Sequence, residues 1–128
     1  MAPRISDDAL LKTNAAATVL LGLPAMVAPK LWHNAFFMKD HPNNPELGRF
    51  WGLNILSCGA SALIVSDSDN PKAKKRFLKT AGAAWVLAGA LTANNVRTGA
   101  QPKESGTVAA VGSALMGGAL LAGGLRKD

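Results

Sequence analysis

With 128 residues, the chain has room for a single domain. It carries 14 Lys and Arg against 8 Asp and Glu, but these basic residues flank apolar runs and are not interleaved with aromatic residues, which argues against nucleic-acid binding. The single cysteine excludes an internal disulfide, and no spacing of chemically reactive side chains predicts a metal site or a catalytic group. The composition therefore predicts a chain that is not an enzyme.

The distribution of apolar residues is more informative than their amount, which at 48% is close to the average for soluble proteins. Charged residues avoid four stretches and collect between them. This pattern predicts an all-α integral membrane protein, a four-helix bundle with a short interfacial helix between helices 1 and 2, in which residues 1–128 form one domain. The predicted spans are 8–28, 46–66, 74–94 and 107–125.

A soluble antiparallel four-helix bundle is the structural alternative, because the helices are short and the apolar fraction is ordinary. Residues 108–125 argue against it, since they contain no charge and one hydroxyl side chain, Ser113. A helix on the surface of a soluble protein needs a polar face along its whole length. The membrane interpretation is therefore preferred.

The first span begins at a recognisable start signal. A serine hydroxyl followed by acidic side chains satisfies the free amides of a helix N-terminus, as Ser6, Asp7 and Asp8 do here. Pro29 predicts the end of the helix. The intervening segment makes about 31 Å of helix, which is enough to cross a bilayer.

The connection at residues 30–44 mixes apolar, aromatic and charged residues. Trp32 lies beside Lys30 in this segment, and tryptophan with flanking lysine is typical of the headgroup layer of a membrane. We therefore expect a short helix that lies along the membrane surface.

The second span starts at Asn44 and Pro45, which predict a helix N-cap followed by the first helical residue. Asn54 and Ser57 are three residues apart and so share a helix face. Several glycines allow a neighbouring helix to approach closely, and we expect the face to pack against protein. These glycines are Gly48, Gly52 and Gly59.

The third span is the least apolar of the four, because residues 72–79 form a basic first turn and only residues 81–93 are continuously apolar. Its basic side chains must reach the membrane surface if it is to span. The fourth span has no charge over residues 108–125. Nine basic residues on one side against five on the other predict that both chain termini face the cytosol, matrix or stroma.

His33 is the first candidate for binding a cofactor. A single histidine at a membrane interface can supply the axial bond that the magnesium of chlorophyll needs, and Trp32, Phe36 and Phe37 could pack on a large ring. The same residues are equally suited to lipid headgroups, so a histidine that binds no cofactor is the alternative. The sequence leaves both possibilities open.

Glu46 and Arg49 begin the second span three residues apart and can pair on one helix face. The run from Glu46 to Asn54 resembles the Glu-to-Arg helix motif of chlorophyll-binding light-harvesting proteins, although here it occurs once and is shortened. The resemblance implies chlorophyll coordination by Glu46. The alternative is a solvent-exposed ion pair that contributes little free energy.

A second resemblance concerns the layout of the first half of the chain. Leu21-Gly22-Leu23, Pro29 and the run Arg49-Phe50-Trp51-Gly52 resemble small four-helix membrane proteins of the DoxX-like type. This resemblance implies a redox accessory protein that binds a quinone-like molecule between its helices, with Trp51, Asn54 and Trp85 as candidate contacts.

The sequence thus predicts a non-catalytic structural or accessory subunit of a large membrane complex, with other membrane subunits, lipids and pigments as partners and with His33, Glu46 and Asn54 as candidate cofactor-binding residues. A photosystem–antenna supercomplex in the chloroplast thylakoid is the first expectation, with chlorophyll as cofactor. The alternatives are the DoxX-like redox protein, an accessory subunit of a respiratory complex in the mitochondrial inner membrane, and a transporter in which Asn54, Asn94 and Asn95 mark a pathway.

Overall fold

A computed structural model describes residues 5–38 and 42–127, and these residues form helices joined by short connections. The all-α prediction is confirmed for this part of the chain. The helices are α1 (Asp7–Val27), α2 (Pro29–Phe36), α3 (Pro45–Asp67), α4 (Pro71–Thr98) and α5 (Lys103–Leu125). The short helix expected after the first span is α2.

The helix ends follow from local side-chain chemistry. Ser6 Oγ accepts a hydrogen bond from the Ala9 amide at 3.1 Å, and Asn70 Oδ1 accepts one from the Ala73 amide at 3.0 Å. Both side chains satisfy amides that the first turn of a helix leaves without a partner. α4 ends at Gly99, whose φ of +84° turns the chain sharply into the connection to α5.

The long helices pack as two antiparallel hairpins, α1 with α3 and α4 with α5. Glycines allow the backbones to touch. A Cβ atom added at Gly22 of α1 would lie 2.8 Å from the Gly52 carbonyl oxygen of α3, and one added at Gly117 of α5 would lie 2.7 Å from the Gly82 carbonyl oxygen of α4. Close backbone contact of this kind is common between helices that lack a large apolar core.

The two hairpins share a side-chain core near one end of the bundle. This end, which we call the charged end, holds the start of α1, the end of α3, the start of α4 and the end of α5. The buried apolar residues of the core are Leu10, Leu11, Ala15, Ala62, Leu78 and Leu120. The opposite end, which contains α2, is the aromatic end.

Three of the described helices, α1, α3 and α5, are long and apolar enough to cross a membrane. α4 does not meet this standard, because its apolar stretch is bounded by Lys79 on one side and by Asn94 and Asn95 on the other. The sequence prediction of apolar spans is therefore confirmed for three helices, judged by length and composition.

Outside the side-chain core, many large aliphatic side chains are exposed. Leu20 and Leu115 lie well inside apolar helices and are 70% exposed or more. Asn14 and Thr18, by contrast, are polar and face inward at 3% exposure. Soluble proteins bury large aliphatic side chains and expose polar ones, so this surface suits an apolar surrounding.

Candidate functional site

The aromatic end contains a cluster of rings, the aromatic cluster, formed by Trp32, His33, Phe36 and Phe37 from α2 and the adjoining residue, and by Trp51 from α3. Pro29 begins α2 directly after α1 ends, which turns the chain so that Trp32 meets Trp51 with the ring centres 4.8 Å apart. Phe36 and Phe37 each lie 5.8 Å from Trp32. The aromatic cluster joins α2 to the N-terminal part of α3.

His33 is the only candidate ligand residue inside this cluster. Its side chain is 7% exposed, its Nε2 atom lies 3.2 Å from the Pro42 carbonyl oxygen, and its ring is stacked on Phe37 at 5.2 Å. An axial ligand must face an open space as wide as a chlorophyll ring. The buried His33 ring does not fit that requirement in this arrangement, so pigment binding there would need Phe37 to move.

Glu46 lies in the first turn of α3 and forms an ion pair with Arg49, as the spacing predicts. The side chains are 68% and 50% exposed respectively. An exposed carboxylate whose charge is balanced by a neighbouring arginine is sterically open to a ligand, although such a pair contributes little to stability. Glu46 therefore fits an axial-ligand role better than His33 does.

Asn54 lies on the outer side of α3. Its side chain is exposed and makes no hydrogen bond within the described part of the chain. Gly52 and Gly59 face α1 instead, so the close-approach face and the face with Asn54 and Ser57 are different. Helix contact inside this chain therefore uses the glycines and leaves Asn54 outside.

The three predicted cofactor-binding residues do not line one pocket. His33 is buried in the aromatic cluster, whereas Glu46 and Asn54 are exposed and about 12 Å apart along α3. The two tryptophans expected at a quinone pocket are also separate, because Trp51 contacts Trp32 while Trp85 Nε1 donates a 2.7 Å hydrogen bond to Asn14 Oδ1.

A second polar group, the charged cluster, ties all four long helices together at the charged end. Asp7 of α1 contacts Lys75 of α4 at 3.1 Å and Arg126, which directly follows α5, at 3.2 Å. Asp8 contacts Lys74 at 2.8 Å and accepts a 3.2 Å hydrogen bond from Ser66 of α3.

Two further bonds of the charged cluster go to backbone oxygens. Lys75 Nζ donates to the Gly123 carbonyl at 2.9 Å, and Arg126 donates to the Ile5 carbonyl at 2.9 Å. Both acceptors lie at or beyond a helix end, where carbonyl and amide groups need partners from outside the helix. The charged cluster therefore joins the helix ends at this end of the bundle and also balances the charges of its own side chains.

Sequence reasoning missed the charged cluster and the Asn14–Trp85 bond. Asp7, Asn14 and Thr18 are seven and four residues apart on α1, so one helix face carries polar side chains inside an apolar segment. That spacing is a signal for an inward-facing polar face. The spacing could have been recognised in the sequence, but it does not reveal which residues of α4 and α5 contact this helix face.

No known protein family, curated protein or solved structure matches this chain. Among the residues that the structure describes, no group of three His, Cys, Asp or Glu side chains is arranged to hold a metal ion.

Proposed function

We propose that the chain is an integral membrane protein of four spans that serves as a non-catalytic accessory subunit of a larger membrane complex. Support for membrane insertion comes from the large aliphatic side chains on the outside of α1, α3 and α5 and from the polar side chains that face inward. Burying these aliphatic side chains in hydrocarbon would remove an exposed apolar surface that is unfavourable in water.

Packing supports α4 as the fourth span. α4 contacts α5 at one end where Lys79 lies beside Gly124 and at the other where Val96 lies beside Gly106. The two helices therefore lie alongside each other over most of their length. If α5 crosses the bilayer, α4 must cross at the same depth. Residues 80–96 of α4 are free of charge and extend about 26 Å, and flanking lysines can reach the headgroups.

Asn54 is the observation that best supports an accessory role. It lies nine residues into α3, about 13 Å along the helix, and so near the middle of a hydrocarbon layer about 30 Å thick. An exposed amide without a hydrogen bond is costly in hydrocarbon. A neighbouring subunit that offers a hydrogen-bond partner would remove that cost.

We propose a photosystem–antenna supercomplex of the thylakoid as the first candidate assembly. Its support is the light-harvesting-like run beginning at Glu46 together with the exposed carboxylate of that residue, which would hold a chlorophyll. A mitochondrial respiratory complex is the second candidate, because the same outer faces would serve there without pigment.

The test begins with extraction of native membranes by alkaline carbonate, in which an integral protein stays in the pellet. Membranes are then solubilised in mild detergent, complexes are separated by size, and this chain is located by mass spectrometry alongside the absorption spectrum of its fraction. We expect migration with a large assembly, with chlorophyll absorption in the photosystem case. Migration as a small colourless species would contradict the proposal.

The matched variants are Asn54→Ala and Ser61→Ala. Both lie on the outer side of α3, but the Ser61 hydroxyl already donates a 2.9 Å hydrogen bond to the Ser57 carbonyl and needs no partner from another subunit. We expect Asn54→Ala to reduce the fraction in the large assembly and Ser61→Ala to leave it unchanged. Equal behaviour of the two variants would remove Asn54 as the docking residue.

A further inference from the structure

Two sets of basic residues at the charged end have different surroundings. Lys74, Lys75 and Arg126 are engaged by Asp7 and Asp8 in the charged cluster. Lys72 and Arg76, one helix turn apart on α4, have no acidic partner within the described residues. Their positive charge is therefore available to a ligand from outside the chain.

Lys72 and Arg76 border a groove of about 360 Å³ between the end of α3 and the start of α4. Its remaining walls differ in polarity. Asn70 and Thr80 contribute polar atoms, whereas Val65 of α3 and Phe77 of α4 contribute apolar surface. A groove with basic residues at its rim and apolar side chains below them matches a molecule with an anionic head and a hydrocarbon tail.

Three acidic residues at this end do not line the groove. Asp7, Asp8 and Asp69 line a separate open cleft together with Lys74. Among the described residues, the lining of the groove itself includes two basic side chains and no acidic one. An anion approaching the bundle from the groove side meets Lys72 and Arg76 before any carboxylate that lines the cleft.

We propose that this groove binds the phosphodiester headgroup of an anionic phospholipid, with the phosphate between Lys72 and Arg76 and an acyl chain against Val65 and Phe77. The inference rests on the proposed insertion in a membrane, because only then does the groove lie at headgroup depth. It adds a defined lipid site to that function. Arginine and lysine side chains are established phosphate-binding groups.

The test uses the full chain purified in detergent and native mass spectrometry with added phosphatidylglycerol or phosphatidylcholine. The groove variant is Lys72→Gln with Arg76→Gln. The control is Lys12→Gln with Lys127→Gln, which removes the same charge from exposed residues at the charged end but outside the groove. We expect the groove variant to lose phosphatidylglycerol affinity by roughly tenfold or more and the control to lose little.

Other outcomes separate the possible explanations. Equal losses in both double variants would show a general effect of charge and overturn the site. Displacement of the lipid by millimolar glycerol phosphate would show that a free phosphate ester suffices and would overturn the lipid assignment, whereas failure of displacement would support an acyl-chain contact. If the protein resists extraction by carbonate and the groove variant keeps its lipid affinity, only the lipid site is overturned. If carbonate releases the protein, membrane insertion is overturned as well.

Discussion

The charged end and the aromatic end of the bundle are held together in different ways. At the charged end, a buried apolar core and the charged cluster join all four long helices. At the aromatic end, the ring contacts of the described residues join α2 to α3, and α2 also contacts α5 of the other hairpin, beside a 3.1 Å hydrogen bond from the Met38 amide to the Ala100 carbonyl. The charged end thus joins the two hairpins, whereas at the aromatic end each hairpin is held together mainly by its own contacts.

This difference shows how a small Gly-rich chain can form a specific bundle. Glycines bring two helices together, but they do not provide the side-chain surface that would join one pair to the next. Residues with larger or polar side chains perform that second task where the hairpins meet. The following substitutions test this division, from the largest expected effect to the smallest.

Gly52→Leu should have the largest effect, because a Cβ atom at Gly52 would lie 2.8 Å from the Met26 amide nitrogen and α1 would be forced away from α3. We expect destabilisation of about 3 kcal/mol or more, measured as the free energy of unfolding in mixed micelles. Gly118→Leu is the control, since nothing lies within 4 Å of that position. Comparable losses for both variants would show that the α1–α3 glycine contact does not determine stability.

Asp7→Asn should have an intermediate effect. Asp7 is 17% exposed and faces Lys75 and Arg126, so the variant removes a carboxylate that contacts two partly buried cations. We expect a loss of about 1–3 kcal/mol in the same unfolding measurement. Glu46→Gln at the aromatic end removes an exposed pair and should cost less than about 0.5 kcal/mol. If Glu46→Gln lowers the free energy of unfolding as much as Asp7→Asn does, ion pairs do not contribute more to stability at the charged end than at the aromatic end.

Trp85→Phe should have a smaller effect than Asp7→Asn. The variant removes the hydrogen bond to Asn14 but retains most of the ring, and hydrogen bonds between membrane helices contribute about 0.6 kcal/mol on average. A double-mutant cycle with Asn14→Ala isolates this coupling. Asn54→Ala, which removes an outward-facing amide, should leave the unfolding free energy unchanged. A coupling near zero would show that the Asn14–Trp85 bond does not help to join the hairpins.

Helix positions were accessible from the sequence because their signals are local. Caps such as Ser6 and Asn70, and prolines at the first helical position, act within one turn. The candidate site was less accessible. Whether His33 is buried or Asn54 faces outward depends on how α2 and α3 pack, and a single residue does not encode that orientation.

The sequence by itself determined the all-helical class and the three apolar helices, because caps, prolines and runs of apolar residues act on neighbouring positions. Only the tertiary structure decided which helices pair, that Asp7 and Asp8 engage Lys74, Lys75 and Arg126, and that Lys72 and Arg76 are left beside a groove. The ion pairs of the charged cluster join residues more than 50 positions apart, and their partners are fixed by the packing of the two hairpins.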